Sequence, residues 1–92
     1  MPKAYRTRGQ TLLEVLGVIQ REGPVGVTRI AAASNQTHTR VMDHLVGFQE
    51  SGLVESRETG ERTVWTLTQK GHHALEELRR VDRAMKDLGI FL

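Results

Sequence analysis

Between Gln36 and Glu50, side chains able to donate and accept hydrogen bonds are interleaved with apolar ones at helical spacing. At about 100° per residue, Val41, Leu45 and Phe48 share one direction and Thr37 points near it, while Gln36, Thr39, Arg40 and Asp43 point away. Their common chemistry is hydrogen bonding to base edges and phosphates. A glutamine suits adenine, an arginine suits guanine or a phosphate, and a threonine serves either kind of partner. Asp43 can accept from a cytosine amino group or hold Arg40, at a cost to binding near phosphates. His38 and His44 flank the apolar stripe, as half-exposed boundary residues or as further DNA contacts.

Other chemistries find no footing. Cysteine is absent, so thiolate metal sites and disulfides are excluded. His38 and His44 lie on opposite flanks of their helix, and the adjacent pair His72-His73 diverges on a helix, so no metal is expected. There is no phosphate-binding glycine loop, nucleophile elbow or His-Glu-x-x-His run. The expectation is a chain with no catalytic residues and no cofactor.

The formal net charge is only +2, which by itself does not establish a nucleic-acid partner. Its distribution is more informative: residues 1–46 hold Lys3, Arg6, Arg8, Arg21, Arg29 and Arg40 against Glu14, Glu22 and Asp43. No apolar run approaches the length that spans a bilayer, and no signal-peptide core follows the basic start. A soluble, cytoplasmic protein with no membrane partner is the reading.

The elements that position these residues follow from periodicity. Residues 1–7 read as a basic arm. A first helix over 8–22 carries Leu12, Val15, Leu16 and Ile19 on one face and stops at Gly23-Pro24. Val25-Gly26 is a very short strand or a linker. A second helix over 27–33 is anchored by Ile30, with Ala31, Ala32 and Ala33 allowing close approach. Ser34-Asn35 is a turn able to cap the third helix, over 36–50, which Gly52 ends. The period then changes: 53–57 and 62–67 are strands around a polar turn, 58–61. Trp65, beside Val64 and Leu67, reads as core rather than as a base-stacking platform. A last helix runs from a Thr68 cap to about 88. Ala74, Leu78, Val81, Met85, Leu88 and Leu92 recur on it at four- and three-residue spacings, a stripe longer than one small domain needs. Its charged side favours intrahelical pairs over a basic DNA stripe.

Helix, helix, turn, helix, hairpin, helix is the order of a helix-turn-helix with a wing. Thr28-Arg29-Ile30-Ala31, Val41…Leu45…Gly52-Leu53-Val54 and Trp65-Thr66-Leu67-Thr68-Gln69-Lys70-Gly71 resemble the winged-helix transcription factors. Over roughly residues 8–90 the chain is similar to small archaeal winged-helix proteins that dimerise through a C-terminal coiled coil, and more loosely to the MarR and ArsR regulators. The resemblance implies an α+β winged helix-turn-helix over 8–67 and a dimerisation helix over 68–92. It implies a homodimer that binds double-stranded DNA as a transcriptional regulator or an abundant chromatin-like protein. The recognition residues then fall on Gln36, Thr39, Arg40 and Asp43, and the wing residues on Arg57 and Arg62, which bracket a turn rich in glutamate. Lys3, Arg6 and Arg8 add phosphate contacts or form an ordinary basic terminus. The near balance of charge departs from a chromatin protein, and the lack of cysteine departs from metal-sensing relatives. A winged helix that has lost DNA binding and serves as a protein-interaction module is the rival reading.

Overall fold

The computed structural model describes residues 8–90. Helix α1 (Arg8–Glu22) is followed by α2 (Val27–Ser34), α3 (His38–Glu50), strands β1 (Val54–Thr59) and β2 (Arg62–Leu67), and α4 (Gln69–Asp87). This is the expected α+β winged helix-turn-helix, with three helices, a two-stranded antiparallel wing and a long last helix.

The apolar spacing of α1 buries Val15, Leu16 and Ile19 in one cluster with Ile30 of α2, Val41, Leu45 and Phe48 of α3, Val54 and Trp65 of the wing, and Leu75 of α4. Burial of each such side chain contributes about 1.5–3 kcal/mol relative to exposure. Trp65 is core, as its neighbours suggested. Of the three alanines in α2, only Ala31 packs on this cluster, while Ala32 and Ala33 face outward. Val25 settles as a single bridge residue, exchanging both backbone hydrogen bonds with Trp65 (3.1 and 2.8 Å).

The turn between α2 and α3 differs from expectation in a way that matters for the site. Ser34 is the last residue of α2, its buried hydroxyl donating to the Ile30 carbonyl (2.6 Å). Asn35 adopts a left-handed conformation (φ 53°, ψ 48°) and closes that helix, as asparagine can at little cost. The cap of α3 is Thr37, whose Oγ1 accepts from the Arg40 amide (3.2 Å). Helix α3 thus starts at His38, and Gln36 lies ahead of it.

The wing pairs from Val54↔Leu67 to Thr59↔Arg62, leaving only Gly60-Glu61 as the turn. Gly60 takes φ +64°, the positive value that a tight hairpin needs at its first central position. The strands therefore extend further than a four-residue loop over 58–61 would allow.

The N-terminus of α4 is clamped onto the end of α3. Thr68 caps it, with Oγ1 accepting from the Gly71 amide (3.0 Å) and donating to the Gly52 carbonyl (2.6 Å). Gly71 sits against the Leu53 carbonyl so closely that an added Cβ would stand 2.1 Å from its oxygen. Backbone on both sides leaves no flexible group to yield. Gly71→Ala is expected to lower the unfolding free energy by about 2–3 kcal/mol, read as a lower denaturant midpoint at unchanged slope.

Candidate nucleic-acid interface

Because α3 buries Val41, Leu45 and Phe48, its other side must face outward. His38, Thr39, Arg40 and Asp43 are all exposed, and the first turn of the helix presents three of them together. Gln36 is apart from this set. It is half-buried in the turn, and its Nε2 is enclosed without a hydrogen-bond acceptor among the described residues. The helical wheel placed it on the outward face only by starting the helix two residues early. His44 is half-buried and stacks on Phe48, ring centroids 6.0 Å apart with 18° between planes. With Asp43, Leu12, Gly47, Phe48, Ser51 and Leu53, it lines a groove of about 490 Å³ between α3 and α1.

Val46, Gly47 and Glu50 on the outward side of α3 were not singled out by sequence. Val46 is 47% exposed and continues the row Thr39, Asp43, Val46, Glu50 at helical spacing. Gly47 beside it is exposed, and a Cβ there would meet nothing within 4 Å. Spacings of four, three and four from Thr39 were the available signal.

The wing is joined to the end of α3 and faces the start of α2. Gln49 near the end of α3 donates from Nε2 to the Ser56 hydroxyl of β1 (3.2 Å), tying the hairpin to the helix. Arg57 and Arg62 are exposed, as are Glu55, Glu58 and Glu61. Glu58 is partly engaged, accepting from the Thr63 hydroxyl (2.8 Å). Arg62 and Thr63 face Gly26, Val27 and Thr28 across a cleft of about 200 Å³. The guanidinium of Arg62 lies where a Cβ on Gly26 would be, 2.7 Å away. Gly26 caps α2 without a side-chain bond, so the wing arginine stands beside the amide end of that helix, where the backbone dipole also favours an anion.

Several other basic groups have partners, although Arg83 of α4 is exposed. Arg29 donates from Nε to Glu22 Oε1 (2.7 Å) and from Nη2 to Oε2 (3.3 Å), joining α2 to the end of α1. This hydrogen bonding holds the Glu22 carboxyl below its ordinary pKa, outweighing the upward push of burial, with the charges of Arg29 and Arg21 adding to the lowering. On α4, Lys70 donates to the Ser51 carbonyl (2.8 Å) and Arg79 to Gln20 (2.8 Å), while Arg80 pairs with Glu77 and Lys86 with Asp82. Lys3 and Arg6 lie outside the described residues, and Arg8 opens α1 at their edge. His72 and His73 are exposed. Among the described residues no three histidines, aspartates or glutamates gather as a metal site, and no helix is long and apolar enough to cross a membrane.

The stripe on α4 divides. Leu75, which the sequence stripe did not include, is the fully buried anchor, and Ala74 and Leu78 are half-buried beside it. Beyond them Val81 is 44% exposed and Leu88 76%, while Met85 is half-buried. Leu92 lies outside the described residues.

The chain matches no protein-family model and no curated protein sequence. Solved structures do resemble it. The structure of AF1382 from Archaeoglobus fulgidus is 26% identical with a TM-score of 0.73, over 83% of this chain and 88% of that one. Sso10a-2, a DNA-binding protein from Sulfolobus solfataricus, is 15% identical with a TM-score of 0.78, over 90% and 85%. The MarR family transcriptional regulator SPO1453 from Silicibacter pomeroyi is 23% identical with a TM-score of 0.67, over 80% of this chain. The alignment spans 54% of that regulator's length. The fold shared with these structures is the winged helix-turn-helix.

A glycine inside an exposed helix costs about 1 kcal/mol relative to alanine, and nothing within the described chain blocks a methyl at position 47. Gly47→Ala is therefore expected to raise the thermal midpoint by about 4–8 °C, as followed by calorimetry.

Proposed function

We propose that the protein is a homodimeric, sequence-preferring double-stranded DNA-binding regulator. The observation that carries this reading is the division of α3. Val41, Leu45 and Phe48 are buried behind it while His38, Thr39, Arg40 and Asp43 stand free in front. B-DNA's major groove admits one α-helix, and the N-terminal part of a recognition helix meets the base edges. Arg40 serves guanine or a phosphate, Thr39 a base edge or a phosphate, and Asp43 a cytosine amino group. His38 adds a donor at the helix start. The cleft between Arg62 and the amide end of α2 is suited to a backbone phosphate, with Arg57 further along the wing. Lys3, Arg6 and Arg8 add phosphate contacts. The relatives lend support: one is a DNA-binding protein and another a transcriptional regulator.

Dimerisation rests on the outer half of α4. Helix α4 has 19 residues and spans about 28 Å. Val81 is exposed on it and Leu88 is exposed at its C-terminal cap, and a second copy of this stripe buries them. Two recognition helices about 34–36 Å apart would then match successive major grooves. The expected result of Met85→Glu with Leu88→Glu is a halved solution mass by light scattering and weaker DNA binding. An unchanged mass would show that the stripe does not pair chains.

One observation favours the rival, a protein-interaction module: Glu55, Glu58 and Glu61 crowd the wing and Asp43 and Glu50 the front of α3. Salt titration separates the two. Affinity for a mixed-sequence duplex is expected to fall by about 10³–10⁵ between 50 and 200 mM salt if six to ten phosphates are neutralised. Arg62→Ala should reduce the salt slope by about one phosphate's share, and adding Arg40→Ala should weaken binding further. A duplex left unbound at low salt, or an affinity indifferent to both substitutions, would favour the interaction module. A bound pool without sequence preference would point to the architectural role.

A further inference from the structure

We infer that Val46 reads the 5-methyl group of a thymine in the major groove, an inference that rests on the DNA-binding reading above. The front of α3 is otherwise a hydrogen-bonding surface of Thr39, Arg40, Asp43 and Glu50, yet Val46 lies in its midst with 47% of its surface exposed. Met42, one turn earlier, packs on the core, whereas Val46 does not. Gly47 beside it has no steric reason to be glycine within the described chain. Packing within the described residues requires neither side-chain choice: a β-branched side chain in water and a glycine both weaken a helix. Together they make a low apolar spot on the face offered to DNA.

The major groove contains one apolar group on its base edges, the thymine methyl, which cytosine lacks at the same position. Asp43 and Glu50 stand one turn to either side of Val46 on the same row. Their carboxylates repel phosphates, so a base edge rather than the sugar-phosphate backbone is the surface that fits between them. Val46 lies about 10 Å along the axis from Thr39. Where the helix axis follows the groove, that is about three base steps at 3.4 Å each, so the thymine belongs to the same half-site as the base met by Thr39.

The test begins with selection of bound duplexes from a random pool at low salt. Each thymine of the selected site is then replaced singly by deoxyuridine, which removes the methyl and leaves base pairing intact. The expected result is one thymine per half-site at which the wild-type protein loses about fourfold in affinity, the worth of one buried methyl group. In Val46→Ala that loss should vanish, with other positions unaffected. The inference is overturned if uracil is tolerated everywhere, if the sensitive position stays sensitive in Val46→Ala, or if the bound pool has no motif. Retention of no duplex at all would remove the DNA-binding reading itself, and this inference with it.

Discussion

Leu53 joins the three parts that have to be held at fixed angles. Its amide donates to the Phe48 carbonyl (2.8 Å) at the end of α3, and its carbonyl accepts from Thr68 (3.0 Å) at the start of α4. Gly71 packs directly on that carbonyl, and β1 begins at the next residue. The direction in which the wing leaves α3, and the direction in which α4 leaves the domain, are therefore set at one backbone junction. Because two backbones meet there, no side-chain rearrangement can absorb a change. Helix α3 and helix α4 keep a constant mutual geometry only if such a junction does not flex.

The second requirement is that α3 be held from behind. Val41, Leu45 and Phe48 enter a core that also takes in α1, α2, the wing and α4. The outward residues then need no partner within the chain and are left for a ligand. Half-burial of His44 against Phe48 and enclosure of Gln36 narrow the free surface to the first turn of the helix and the row that runs on from Thr39.

Electrostatics shape this surface more by what is neutralised than by net charge. Arg29 is held by Glu22, and the cations of α4 at positions 70, 79, 80 and 86 have partners. Arg40 and Arg62 are exposed, as are Asp43 and Glu50 of α3 and Glu55, Glu58 and Glu61 of the wing, so charges of both signs remain open to a ligand.

Much of the molecule was legible in residue order. Leu12, Val15, Leu16 and Ile19 disclosed α1 to the residue, and the change of period after Gly52 disclosed the hairpin. Thr68 marked the start of α4, because these signals are local and repeat with a helix or strand period. Choices between equivalent local solutions were not legible. Ser34, Asn35 and Thr37 can all end or cap a helix, and only the fit of Ile30 and Val41 into a common core made Asn35 the close of α2 and Thr37 the cap of α3, withdrawing Gln36 from the front. Ala74 and Leu75 compete for the inner side of α4. The clamp at Gly71, one turn earlier on α4, turns Leu75 inward, a rotation that depends on contact with Leu53 in a separate segment of the chain. Sequence periodicity states which residues share a face; which face meets which neighbour is decided by contacts between distant segments.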